Sequence, residues 1–415
     1  WDSRPDDQLT AFDYWFNIIK LLSENSPVIS ILNKIDKNRP ISIEEKSLQE
    51  KFNIVSFHKV SAVSGVGIDH LSEVIKEEIN KLPLVGSELP KAWLDIREKL
   101  EGSNKAYISY DDYKSICKDY GLDDEKADFL RDYYHDLGVF LNFKDNVLLK
   151  QIVFLKSEWA TEAVYILVDN REIMDNAGRF SYQDLHKEGY WKNKYPEAMF
   201  DYLLELMMNF EICFKVEDNQ YVIPELLEAD KPQLSWNEKE NLKFEYQYKF
   251  MPSGIITRFI ARNHKIVKDN TYWRHGVVLA SDNNEALLIS DPLDKKIRIW
   301  AKGTNKKEFL AFIRNDIYLI HETLRFPDHQ GLIPCVCEEC KSNIYPFLWD
   351  IKMLEGARKK GRKKMACQQS YDDVVIENIL NNTNTTYDKV VSFLERSRGE
   401  IAELLGRFTI GMLKG

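Results

Sequence analysis

Two apolar runs, each ending on a short polar loop, set the tightest limit on this chain. Pro27-Val28-Ile29-Ser30-Ile31-Leu32 leads into Asn33-Lys34-Ile35-Asp36, and Ile54-Val55-Ser56-Phe57-His58-Lys59-Val60 leads into Ser61-Ala62. Before the first run, Leu9, Phe12, Phe16 and Ile19 recur at helical spacing. After the second, Leu71, Val74, Ile75, Ile79 and Leu82 do the same until Pro83. Helices alternating with apolar strands require crossovers packed on a parallel sheet. Ligands bind such sheets beyond the carboxyl ends of the strands, where both polar loops fall. Residues 1–83 therefore read as an α/β segment, with too few strands to make a complete sheet alone.

The residue types in those loops point to one base. A guanine edge offers a carbonyl acceptor and two adjacent N–H donors. One carboxylate accepts both donors, and its charge strengthens the pair. Asp36 suits that role. Adenine presents the opposite pattern and would leave the buried carboxylate without partners. Asn33 is suited to the base edge and to tying neighbouring loops, and the methylene stem of Lys34 to covering the base plane. The backbone N–H of Ala62 is placed to reach the base oxygen, with Ser61 bracing its loop. A tetrapeptide N-K-x-D alone is a weak signal, and the matching strand ends are what strengthen it. No GxxxxGK[ST] phosphate loop occurs between Trp1 and Gly415.

From Leu84 the pattern changes. Phe140-Leu141-Asn142-Phe143 and Val147-Leu148-Leu149 flank a polar turn, and so do Ile212-Cys213-Phe214-Lys215 and Tyr221-Val222-Ile223. Both read as hairpins preceded by helices, which predicts paired winged-helix-like units over 84–231. Leu242 to Phe250 alternates strictly between apolar and polar residues, the mark of a half-buried antiparallel strand. Further strands are expected near 273–280, 286–289 and 297–301, and a helix over 306–322. Residues 232–383 thus read as an antiparallel α+β domain, and Tyr387 to Leu413 as a terminal amphipathic helix.

The 415 residues carry a net charge of -9, which argues against a nucleic-acid reader built on winged helices. No apolar run approaches the roughly 18 residues that span a bilayer. The first residue is Trp1, so the reading expects a chain cut from something longer. Six cysteines are too few for a disulfide scaffold and fit a reducing cytoplasm.

Three of the six lie in Cys335-Val336-Cys337-Glu338-Glu339-Cys340, and Cys367 follows. Four thiolates suit tetrahedral zinc in a structural role, since no ligand position stays open. Buried free cysteine is the competing reading. The basic run Arg358 to Lys364 reads as a solvated loop between the cysteine groups. His135 beside Asp136 reads as structural, because neighbours on a helix do not face each other. Trp273-Arg274 suits either a subunit contact or core packing.

Taken together these motifs resemble the Roco family, in which a Ras-like Roc GTPase domain precedes a COR domain and to which the leucine-rich-repeat kinases belong. Trp15 through Asp36 resembles late Roc, and Leu84-Val85-Gly86 with Leu89-Pro90 resembles the junction. His135-Asp136-Leu137-Gly138, then Phe210-Glu211-Ile212 with Val222-Ile223-Pro224, resemble the first COR half. Pro252-Ser253-Gly254, Arg258 and Tyr272-Trp273-Arg274-His275-Gly276 resemble the second. The bacterial branch fits best, since no kinase signature is present. The resemblance implies that 1–83 is the C-terminal part of a Ras-like G domain, 84–231 the first COR subdomain, 232–383 a COR dimerisation subdomain and 384–415 a terminal helix. It implies a cytoplasmic homodimer that binds GTP or GDP with Mg2+ and hydrolyses GTP in the intact protein. The phosphate loop, the Mg-binding switch threonine and the DxxG segment are lacking, so this stretch alone is expected to be inactive. Arg4 would sit where those parts end, as a nucleotide or subunit contact or as a solvated residue. A non-enzymatic dimerisation scaffold with a G-domain remnant is the alternative; an upstream phosphate loop in the parent protein separates the two.

Overall fold

The computed structural model describes residues 15–21, 26–37, 45–83, 85–86, 88–217, 219–237, 241–325, 327–381 and short pieces of 383–393. Arg4, Leu9, Phe12 and nearly all of the helix expected over 387–413 lie outside the described residues. The chain divides into two compact units. One ends at Leu89 and takes in Thr323–Pro327, and the other holds the remainder.

In the first unit, β1 (Val28–Leu32) pairs with β2 (Ile54–Lys59) in parallel, with Leu32 opposite Lys59. Phe16, Phe52 and Ile54 form a small core, with the Phe16 and Phe52 rings stacked 5.1 Å apart. The helix Ile68–Asn80 follows β2 and buries Leu71. Ile75 and Ile79 on its apolar stripe stay exposed, as does Leu82 just past its end, because the described two-stranded sheet is too narrow to cover them.

The second unit begins with helices. Ser109 and Asp123 cap Tyr110–Asp119 and Asp124–Asp136 by accepting backbone N–H bonds, which satisfies donors that a helix start leaves unpaired. These helices and Lys91–Glu101 enclose Ile96, Tyr113, Leu130 and Phe140. They flank the antiparallel pair β3 (Tyr107–Ser109) and β4 (Ile152–Phe154).

The hairpin expected over 140–149 does not form. Leu141 bridges Phe154 instead, and Val147 stands exposed. Asn146 explains the change, since its Oδ1 accepts from the N–H groups of Leu148 and Leu149 and bends the chain into a turn. The hairpin over 212–223 does form. There β5 (Arg179–Ser181), β6 (Phe214–Lys215) and β7 (Gln220–Val222) make an antiparallel sheet in the order β5-β7-β6. Trp191 anchors the surrounding core, its indole N–H donating to the Ala163 carbonyl at 2.9 Å.

The largest sheet is antiparallel throughout. Its strands are β8 (Leu242–Tyr248), β9 (Val267–Trp273), β10 (Gly276–Ser281), β11 (Asn284–Asp291), β12 (Lys296–Gly303), β13 (His329–Pro334) and β14 (Leu348–Asp350). They run in the order β14-β13-β8-β12-β11-β10-β9. Alternate residues of β8, from Leu242 to Tyr248, are buried, as the sequence pattern requires. The helices Ile255–Asn263 and Lys306–Thr323 bury apolar faces that include Phe259, Ile260, Phe309 and Ile313. Trp273 settles into core packing, with Val278, Leu287 and Trp300 around it and Leu234 and Trp236 against it.

A buried ionic cluster ties the helical part to the sheet part. Arg262 donates to both carboxylate oxygens of Asp316 and, at 2.7 Å, to Glu211. Arg258 donates to the other Glu211 oxygen at 2.6 Å. Burial opposes the charge on Arg262, yet the Asp316 and Glu211 carboxylates raise its pKa above the ordinary arginine value. Finally, β15 (Lys364–Ala366) and β16 (Asp373–Val375) form a short hairpin. The basic run is a solvated loop only over 360–363, flanked by regular structure. Arg358 and Lys359 end the helix Ile351–Lys359, Gly361 makes the turn and Lys364 opens β15, all exposed.

Candidate functional site

Parallel pairing of β1 and β2 brings the two polar loops side by side at the carboxyl ends of the strands. Val60 N–H donates to the Leu32 carbonyl at 2.8 Å, which carries the ladder one step past β2. After β1 the chain turns into the 3-10 segment Ile35–Lys37, which holds Asp36. Ser61 is buried, and its hydroxyl donates to Asp36 Oδ1 at 2.6 Å. The same hydroxyl oxygen accepts from the Ser64 N–H at 3.3 Å.

Asn33 is the second tie. Its Oδ1 accepts from the N–H of Lys34 at 2.8 Å and from the N–H of Ala62 at 3.1 Å. Asp36 is exposed, and the Ala62 N–H points to the Asn33 carboxamide. Lys34 adopts a φ of 64°, an uncommon left-handed conformation for a side chain of this length, which the sequence did not signal. Gly67 has a φ of 79°, and a Cβ there would sit 2.5 Å from the Lys59 carbonyl oxygen. Glycine is required at that close approach, where the chain turns back into Ile68–Asn80.

The four clustered cysteines also converge. Cys335 follows β13, Cys337 precedes and Cys340 lies within the short helix Glu338–Ser342, and Cys367 follows β15. All four are buried, and their Sγ atoms lie within 4.8 Å of one another. Burial raises the thiols of Cys335 and Cys340. Burial also opposes ionisation of Cys367, but the N–H groups of Ser370 and Gln369, the Ser370 hydroxyl and Cys335 outweigh it and bring that thiol down to about 7. Cys337 is likewise lowered against burial, by the Ser370 hydroxyl and the Cys340 N–H.

His135 takes a structural place. Its Nδ1 accepts from the Asn142 N–H at 3.3 Å, and its ring meets Phe143 edge-on. A polar hollow of about 360 Å³ lies beside it, lined by Asp132, Asp136, Asn142, Lys144 and Asn146 among others. Asn142 was unmarked in the sequence beyond its place in an apolar run. It is buried, and its Nδ2 donates to the Ile152 carbonyl at 2.7 Å.

Comparison with known proteins decides the family. Residues 90–227 match the model described as C-terminal of Roc, COR-A domain, and residues 239–382 match the C-terminal of Roc, COR-B domain. The chain belongs to the Roco family. Among its Roco relatives is a Roc-COR-CHAT protease from an unknown prokaryotic organism, 26% identical over 305 residues that cover 69% of this chain and 28% of that protein. The Roc-COR-CHAT protease of Runella zeae is 27% identical over 286 residues, covering 65% of this chain and 30% of the relative. The matched stretch is thus under a third of either relative's length. A solved Roco2 RocCOR chain of Methanosarcina barkeri, bound to GDP, is 31% identical and matches 55% of this chain and 71% of its own, with a TM-score of 0.44. This Roco chain is accordingly a COR module of the type associated with Roc GTPases, combining helices with antiparallel sheets.

Proposed function

We propose that residues 26–67 form the base-reading part of a guanine-nucleotide site in a protein that also carries a phosphate loop. Asp36 takes the two N–H donors of the guanine edge, Asn33 holds the two loops together, and the Lys34 stem covers the base. On base entry the Ala62 N–H exchanges the Asn33 carboxamide for the guanine carbonyl. Phosphates and Mg2+ would be held by groups that this sequence does not contain. The observation that carries the reading is the pair of cross-loop bonds, Ser61 to Asp36 and Ala62 to Asn33, at the ends of adjacent parallel strands. They hold a carboxylate and a backbone donor close together, as the polar edge of one base demands.

The COR part, in the same reading, is a homodimerisation element whose contact regulates GTP hydrolysis in the cytoplasm. Supporting this, β9 ends the seven-stranded sheet with no described strand on its outer side, and all six cysteines are free thiols. No described helix is long and apolar enough to cross a membrane.

Titrating the full-length protein with labelled GDP tests the site. Replacing Asp36→Ala removes charge-assisted hydrogen bonds of about 1.5–3 kcal/mol each and should weaken GDP by about 100-fold or more. Unchanged affinity in a folded variant would overturn the assignment.

A further inference from the structure

We propose that Cys335, Cys337, Cys340 and Cys367 hold one Zn2+ ion as a tetrahedral tetrathiolate that staples the end of β13 to the β15–β16 hairpin. The geometry argues first. A Zn–S bond of about 2.3 Å sets the sulfur–sulfur edge of a regular tetrahedron at about 3.8 Å. The four Sγ atoms already lie within 4.8 Å of one another, and Cys340 and Cys367 are 3.7 Å apart. Disulfides need about 2.05 Å, and all four thiols are free. An iron–sulfur cluster would interpose several iron and sulfide atoms and needs a wider cage. One small, thiophilic ion fits the space that the sulfurs enclose.

The surroundings are those of thiolates. Cys337 Sγ accepts from the Ser370 hydroxyl at 3.4 Å and from the Cys340 N–H at 3.5 Å. Such donors orient a metal-bound sulfur and offset its charge. Four thiolates around one Zn2+ leave a net charge of minus two. The sequence between the third and fourth cysteine carries Arg358, Lys359, Lys360, Arg362, Lys363 and Lys364, of the opposite sign. Burial of all four sulfur ligands leaves no position for water or substrate, so the ion is structural.

Stapling explains how this end of the molecule holds together. The strands β15 and β16 have three residues each, and the following helix Ile376–Leu380 has five. Elements this short order poorly by themselves. Metal binding supplies folding free energy where the core is small.

The test is metal analysis of the full chain, expressed without a metal-affinity tag in medium containing both zinc and iron. One zinc per chain is expected, and Cys367→Ser that remains folded by circular dichroism should lose it. Metal-free wild-type protein, iron in place of zinc, or undiminished zinc in Cys367→Ser would each overturn the proposal. Should Cys367→Ser fail to fold, Co2+ exchanged into the wild type decides. Intense visible bands with sulfur-to-metal charge transfer support four thiolates, and the weak spectrum of octahedral oxygen ligation overturns them. Chelation of the wild type should also speed amide exchange in 364–375 while leaving β10 and β11 protected.

Discussion

The hydroxyl of Ser61 donates a 2.6 Å hydrogen bond to the carboxylate of Asp36, joining two loops 25 residues apart. Ser61 is buried at the end of β2 and Asp36 is exposed after β1, so a fixed group orients an exposed one. Ser61→Ala removes that anchor without touching the base-reading carboxylate. In the full-length protein this change should weaken GDP by several-fold to about tenfold, the value of roughly 1 kcal/mol for one hydrogen bond. Equilibrium binding of labelled GDP measures it, and wild-type affinity would mean that the bond does not position Asp36.

Asp316 should be a weak point of the second unit. Its carboxylate is nearly fully buried and receives Arg262 and the Asn263 side chain. Asp316→Ala strands a largely buried guanidinium with Glu211 as its remaining carboxylate partner in the cluster. Breaking such a pair costs about 3–5 kcal/mol, and Glu211 should hold the loss near the lower figure. Urea denaturation of the intact chain reads the change. A loss under about 1 kcal/mol would show that the cluster does not carry the joint.

Acid should loosen the same unit through His321. Burial first, and the neighbouring His329 second, hold its pKa down to about 3, while Tyr248 meets its Nε2 at 2.8 Å. Unfolded, the ring titrates near about 6.5. Above that pH neither state binds the proton and the stability is fully present. As pH falls from about 6.5 towards 3, only the unfolded state takes the proton, so stability drops by up to about 1.4 kcal/mol per pH unit. Urea midpoints at pH 7 and pH 5 should separate less in His321→Gln than in the wild type. Equal separations would contradict a neutral buried histidine.

Legibility of the fold followed the length and regularity of each pattern. The alternation in 242–248 and the apolar strands at 28–32 and 54–59 were plain, because burial on a sheet repeats with the pleat. The stretch 140–149 misled, since Asn146 turns the chain with side-chain bonds that an apolar count does not see. In the basic run, like charges mark the solvated loop at 360–363 but hide the helix end and the strand start that flank it. At the candidate site, sequence identified the residues that meet but not their present bonds. The Asn33 bond to the Ala62 N–H and the left-handed Lys34 depend on how β1 and β2 are aligned. The Glu211–Arg262–Asp316 cluster was invisible because its members lie 51 and 54 residues apart.

Base preference is the most direct measurement. The full-length protein and its Asp36→Asn variant should be titrated with GDP and with the xanthosine diphosphate analogue, in which a carbonyl replaces the amino donor. A carboxylate reading two donors gives tight GDP and weak xanthosine diphosphate, and the amide variant should reverse that order. An Asp36→Asn protein that folds and still prefers GDP would contradict the assignment of Asp36 as the guanine reader.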